Sequence, residues 1–358
     1  MKVALLTFHD TTNFGSFLQT YGLYLTLNKL GIDCEVLDYQ CAAIQRKELP
    51  QKKPESWTIK KIAKFFLLEP IKVQKYKNMV GDVKRLLNLS QRFDRSNIQE
   101  AEEQYDAFLV GSDILWGMDI TDGDMTYFLD FVKDGSKKYA FSTSVGNPWS
   151  EKEKAIVAPL LNEFTKIAVR EQEAALWVSE LTGVMPEIVC DPTMLVEESQ
   201  WKNLADKSDC FAEYRANKYI LTYFGTNDGR LHEEARKYAY SKGYELWSIN
   251  YGIPQKNCKN IKPTHVEDFL ALILNAQSVF TASYHGMMFS IYFQKPFYFY
   301  NDSHGSRFDS VSKRLKLESQ KRLPNTEFSE KLIDYNKVER DVSKWREESI
   351  EVLRNYWG

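Results

Sequence analysis

The sequence predicts an α/β protein built as two halves, each a doubly wound parallel sheet. Three observations predict it. The chain has 358 residues, more than one hydrophobic core usually organises. Short β-rich runs alternate with amphipathic stretches, the pattern of parallel strands joined by helices. The alternation restarts near Lys218, so two Rossmann-like halves follow, and an apolar content of 43% is enough to fill both cores.

The elements follow in order. Lys2 to Phe8 reads as a first buried strand, then a polar loop through Asn13 and a helix from about Gly15 to Leu30, closed by Gly31. Further strands are expected at Glu35 to Tyr39, Tyr105 to Val110, Lys138 to Val145, Lys166 to Val169 and Glu187 to Cys190. In the second half a strand at Lys218 to Phe224 leads through the loop Gly225 to Gly229 into a helix reaching Ala239, and Tyr244 to Ile249 is the next strand. A helix at Val266 to Ala276, a strand at Gln277 to Phe280, a helix at Met287 to Phe293 and a strand at Phe297 to Tyr300 complete the series. Val338, Val342, Trp345, Val352 and Leu353 recur at helical spacing, as in a terminal helix that packs on the rest. The expected domains are 1–205 with a basic helical insertion at about 46–100, then 206–330, then a helix over 331–358 packing back on the domains.

Charge and composition narrow the partners. The 47 basic and 49 acidic side chains give no global attraction to nucleic acid, which is not an expected partner. From Arg46 to Arg95, however, fourteen Lys or Arg face five Asp or Glu, a formal charge of +9. There Trp57, Ile59, Ile62, Phe65, Phe66, Leu67 and Leu68 interleave with Lys60, Lys61 and Lys64, which fits either a peripheral contact with an anionic membrane or an ordinary helical insertion. Val3 to Phe8 is too short for a secretory apolar region, and five cysteines lack paired spacing, so a reduced, cytoplasmic protein without structural zinc is expected.

In open α/β sheets ligands gather beyond the carboxyl ends of the strands. The polar loops there supply the candidates: Asn13, Gly15, Ser16 and Gln19 after the first strand, Ser112 and Asp113 after the third, Arg170 and Glu171 after the fifth, and Asp191 and Thr193 after the sixth. Arg170 offers a bidentate grip on a carboxylate or phosphate, or else an ion pair with Glu171 or Glu173. Asp113 is placed to orient or deprotonate a hydroxyl, or to cap a turn. Asp191 precedes a proline and reads as structural.

Thr281-Ala282-Ser283-Tyr284-His285-Gly286 is the most informative segment. It sets His285 where a strand ends and a helix begins, beside outward-facing N–H groups that favour an anion. Gly286 is expected to let the backbone pass close to a ligand. His9, His232, His265 and His304 have less to recommend them. Metal and nucleotide motifs are missing from the sequence: no HExxH, no GxGxxG, no GxxxxGK[ST], no GxSxG, and Asp119, Asp122 and Asp124 do not meet calcium-loop spacing. No metal or cofactor is expected.

In their order along the chain these segments resemble the polysaccharide pyruvyl transferase family. The resemblance rests on Thr7 to Gln19, Val110 to Asp113, Val169 to Glu171, Asp191 to Thr193, Thr281 to Gly286 and Lys295 to Phe297, and runs from residue 3 to about residue 315. It implies a GT-B-like pair of Rossmann-like domains facing across a cleft, and transfer of the enolpyruvyl group of phosphoenolpyruvate to a sugar, often as a cyclic ketal, in exopolysaccharide or capsule synthesis. His285 and Asp113 would then be catalytic. Asn13, Gly15, Gln19, Ser112, Arg170, Ser283, Gly286 and Arg307 would bind substrate. Well-studied members carry Arg-Leu-His where this chain has Ser283-Tyr284-His285, and Arg307, in an Arg-Phe pair shared by relatives with the serine, is the expected replacement cation. The acceptor would be a sugar, possibly lipid-linked. A GT-B glycosyltransferase using a nucleotide sugar and a non-catalytic sugar- or anion-binding protein are the competing readings.

Overall fold

The computed structural model describes residues 1–53, 58–224, 229–300, 306–323 and 328–357. Trp57, the loop residues Gly225 to Asp228 and His304 lie outside the described residues. The chain divides into two compact units: residues 1–48, 83–196 and 340–358 form the first, and residues 49–82 and 197–339 the second.

Among the described residues the first unit holds a seven-stranded sheet: β1 (Lys2–Leu6), β2 (Asp33–Tyr39), β3 (Leu89–Phe93), β4 (Ala107–Val110), β5 (Lys138–Thr143), β6 (Lys166–Val169) and β7 (Glu187–Ile188). Their order is β3-β2-β1-β4-β5-β6-β7, and every pairing is parallel. The second unit holds β8 (Tyr219–Tyr223), β9 (Glu245–Ile249), β10 (Lys259–Ile261), β11 (Ser278–Thr281) and β12 (Phe297–Phe299), in the parallel order β10-β9-β8-β11-β12. Two Rossmann-like α/β units are thus present, as the alternation predicts. In each, the strand order reverses beside the first strand, between β1 and β4 and between β8 and β11. Such reversals open a crevice at the carboxyl ends, where α/β sheets bind ligands.

The central strands are apolar runs because both faces are covered: β4, β5 and β11 are buried at every residue. β3 and β10 were not expected from the sequence. Both are edge strands, partly exposed, and their sequences LSQRF and KNI carry no apolar run to betray them. Close backbone approaches fix two glycines. A Cβ on Gly111, at φ +151°, would lie 1.9 Å from the Phe141 carbonyl oxygen. One on Gly22, within the first helix (Phe14–Lys29), would lie 2.6 Å from the carbonyl oxygen of Pro192.

The basic insertion differs from expectation. Its helix, Ile59–Leu86, belongs to the second unit as far as Asp82, not to the N-terminal domain. The reason lies in its inner face. Asn78 donates to Thr264 Oγ1 at 2.8 Å, the Lys75 ammonium sits 4.0 Å from the Tyr251 ring centroid, and Asp82 accepts from the Val266 N–H at 3.2 Å. The last helix, Tyr335–Arg354, joins the first unit from Arg340 onward. Arg346 Nε donates to the Met194 carbonyl at 2.6 Å, and the Tyr356 hydroxyl to the Ala140 carbonyl at 2.7 Å.

Gly22→Ala tests the tight helix contact. It is expected to lower the unfolding free energy by about 1–3 kcal/mol, as overpacking does, read from the midpoint of a urea melt.

Candidate functional site

The first unit's candidates turn inward into one buried polar thread. Gln19, fully buried, donates from its amide to Thr7 Oγ1 at 2.9 Å and to the Ser16 carbonyl at 2.8 Å, and accepts from the Ser112 N–H at 2.9 Å. Ser112 Oγ donates to the Ser142 carbonyl at 2.7 Å, and Ser142 Oγ to the Cys190 carbonyl at 2.9 Å. The Cys190 N–H continues the thread to Ser349 Oγ at 2.9 Å. Burial pushes the Cys190 thiol up to about 12, which keeps it unreactive. Gln19 and Ser112, expected to bind substrate, are scaffold in this arrangement, since their polar groups already meet one another.

Arg170 likewise serves the interior. Its side chain is 1% exposed; Nη1 lies 2.8 Å from Asp191 Oδ2, and Nε lies 3.5 Å from Glu171 Oε2. Asp191 Oδ1 also accepts from the Thr193 N–H at 2.9 Å, as the cap of the short helix Pro192–Leu195, and Glu171 accepts from Ser144 Oγ. Two buried carboxylates thus tie the guanidinium to the interior of the first unit. The ion-pair alternative for Arg170 is the one the geometry supports, with Asp191 a principal partner that sequence spacing did not indicate.

What the first unit offers outward is smaller. Asn13 is exposed and caps the first helix through the Gly15 N–H at 2.9 Å, so Gly15 spends its donor on the cap. Asp113 adopts φ 85°, a conformation uncommon outside glycine. Its carboxylate accepts from Ser16 Oγ at 2.5 Å and from the Ile114 N–H at 2.9 Å, while 8% of the residue stays exposed. His9 had been passed over. It is 1% exposed, with Nε2 3.1 Å from Asp38 Oδ1. Burial alone would raise the Asp38 carboxyl, but the His9 hydrogen bond and charge, with Arg92 and Gln40, hold it below its usual value. The signal was available: His9 follows β1 and Asp38 nearly ends β2, and neighbouring parallel strands bring such positions together.

The second unit presents a different chemistry. β11 ends at Thr281, Ser283 caps the helix Tyr284–Tyr292 by accepting from the Gly286 N–H at 3.3 Å, and His285 lies in the first turn, 7% exposed. That turn holds no acidic residue, so its positive end is not neutralised from within the helix. Arg307 is brought beside it: the guanidinium carbon lies 5.4 Å from the Tyr284 ring centroid, and the Tyr284 ring meets His285 edge-on at 5.2 Å. Phe308 packs between Tyr284 at 5.8 Å and Phe299 of β12 at 5.8 Å, which anchors the pair to the sheet. Gly286 has a reason other than ligand approach. A Cβ there would lie 2.4 Å from Thr281 Oγ1, the atom that accepts from the Ser283 N–H at 2.9 Å and so shapes the turn.

Asp82, His265 and Glu267, among the described residues, place one ligand atom each within 4.8 Å of one another. Their geometry is that of a helix start. Asp82 accepts from the Val266 N–H and meets His265 Nδ1 at 3.1 Å, and Glu267 lies in the first turn of Val266–Asn275, where the helix favours negative charge.

The sequence model of polysaccharide pyruvyl transferases matches residues 13–304. The chain belongs to the polysaccharide pyruvyl transferase family. No curated protein shows significant sequence similarity to this transferase. In structure it is similar to the UDP-GlcNAc 2-epimerase of Neisseria meningitidis solved with UDP-GlcNAc, with a TM-score of 0.58 and 10% identity over 100% of this chain and 99% of that one. A putative UDP-N-acetylglucosamine 2-epimerase from Listeria monocytogenes gives a TM-score of 0.53 and 12% identity over 98% and 89%. At such identities the likeness is one of fold, and it places the transferase in the GT-B-like class of paired Rossmann-like units.

Arg170→Met removes the guanidinium that pairs with the buried Asp191 and Glu171 and is expected to cost about 3–5 kcal/mol of stability in a urea melt. An unchanged midpoint would return Arg170 to the role of a ligand contact.

Proposed function

We propose that this family member transfers the enolpyruvyl group of phosphoenolpyruvate to a sugar in the synthesis of a surface polysaccharide, closing a pyruvate ketal. One observation carries the assignment of the donor's partners: a histidine and an arginine that both meet the Tyr284 ring at the start of a helix with no acid in its first turn, after the strand where the second sheet reverses order. Phosphoenolpyruvate carries a carboxylate beside a phosphate. Arg307 and the helix N–H groups suit such an anion, and Arg307 takes the place of the arginine that Ser283 lacks.

In the proposed reaction a sugar hydroxyl oxygen bonds to the phosphate-bearing carbon as His285 gives a proton to the methylene carbon, which becomes the methyl group. A second hydroxyl then bonds to the same carbon, its bond to the phosphate oxygen breaks, and phosphate leaves, protonated by His285 once it is recharged or by solvent. The two hydroxyl protons close the balance: one recharges His285 and the other leaves with the phosphate or passes to solvent. The acceptor is proposed to be a sugar carried on a lipid. No metal or organic cofactor is required to balance these steps.

The test is steady-state kinetics with phosphate release as the readout, using phosphoenolpyruvate and a panel of free and lipid-linked hexoses and N-acetylhexosamines. His285→Ala is expected to lower kcat by about 10²–10⁴ with little change in the KM for phosphoenolpyruvate. Arg307→Met should instead raise that KM roughly tenfold to a hundredfold, the worth of a hydrogen bond to a charged group. Transfer from a nucleotide sugar, with phosphoenolpyruvate untouched, would contradict the proposal.

A further inference from the structure

The Ile59–Leu86 helix has two apolar faces, and the fold uses one. The inner face buries Leu68, Met79 and Val83. On the outer face Ile59, Ala63, Phe66, Leu67 and Pro70 recur at the spacing of one helical stripe, and all are exposed: Ile59 by 89%, Phe66 by 70% and Leu67 by 64%. Exposed apolar residues scattered singly mean little, but a continuous stripe marks a surface that meets something.

Charge says what that something is. Lys77 is exposed in line with the stripe, two turns beyond Pro70, Lys64 is exposed toward its edge, Lys52 and Lys53 are exposed before the helix begins, and from Thr58 to Lys77 the sole acidic residue is Glu69. Glu69 turns inward, 5% exposed, accepting from the Gln51 N–H at 2.5 Å and lying 3.4 Å from Lys72. The outer face is therefore apolar and cationic with no exposed carboxylate in that stretch. A second copy of the chain would set lysines against lysines there, which disfavours a symmetric dimer. No helix among the described residues is long and apolar enough to cross a membrane.

We propose that this face docks on an anionic lipid bilayer, with Ile59, Phe66 and Leu67 entering the boundary between headgroups and acyl chains and Lys64 and Lys77 meeting lipid phosphates. The helix lies in the plane of the surface. This inference goes beyond the proposed reaction and does not depend on it, since the surface binds lipid whatever the donor.

Co-sedimentation of the full chain with vesicles tests it, comparing phosphatidylcholine alone with phosphatidylcholine plus phosphatidylglycerol, each at low and high salt. Binding is expected on the anionic vesicles only, weakened by salt. The pair Lys64→Glu with Lys77→Glu, and the pair Phe66→Ser with Leu67→Ser, should each reduce partitioning about tenfold or more. All these positions are exposed, so thermal melts should be unchanged, and a retained melt separates a lost surface from a lost fold. Absence of binding, or binding that neither pair alters, would overturn the proposal. So would light scattering that shows a dimer which Phe66→Ser with Leu67→Ser converts to monomer while the wild type ignores vesicles, because the face would then belong to a second copy.

Discussion

The first unit depends on a chain of buried hydrogen bonds that runs across the carboxyl ends of its strands. Thr7, Gln19, Ser112, Ser142, Cys190 and Ser349 pass donor to acceptor from the end of β1 to the last helix. Each group is buried, so each must find a partner, and a gap anywhere leaves a polar atom in a low-dielectric interior. The thread also explains the geometry around it. Gly111 has no room for a side chain against Phe141, and Ser112 must point to Ser142. Asp113 takes up a positive φ directly after, and that conformation brings its carboxylate to Ser16 on the first helix.

The two units divide the chemistry unequally. In the first, Arg170 is neutralised by Asp191 and Glu171, so the residue best suited by type to hold an anion is turned to holding the scaffold. In the second, aromatic packing through Phe299, Phe308 and Tyr284 carries Arg307 to the first turn that holds His285. A helix start, an arginine and a histidine on one small framework form a set that an anionic donor with a proton to receive would use. What the structure adds is the setting of two arginines named from the sequence: Arg170 paired with buried carboxylates, Arg307 against the Tyr284 ring.

Much of the fold was legible because apolar runs and helix stops obey simple periods. The strand at Lys166–Val169 was read to the residue, and His285 was placed at a strand-to-helix junction from the apolar run before Thr281 and the helical run after Gly286. Edge strands β3 and β10 were not legible, because a strand exposed at a sheet edge need not be apolar. Nor was the direction of polar loop side chains. Asn13 and Gln19 look alike in a sequence, yet one is exposed at a cap and the other is sealed in the interior. Gly286 was read as a close approach of the backbone to a ligand, whereas the atom that a Cβ there would meet is Thr281 Oγ1 of the chain itself. The insertion's allegiance to the second unit was hidden because its partners, Thr264, Tyr251 and Val266, lie far along the chain.

Calorimetric titration of phosphoenolpyruvate into the wild-type protein, with UDP-GlcNAc as the contrast, tests the central claim most directly. The account predicts saturable binding of phosphoenolpyruvate and no comparable heat from the nucleotide sugar. Saturable binding of UDP-GlcNAc with none of phosphoenolpyruvate, in the presence as well as the absence of sugar acceptor, would contradict it.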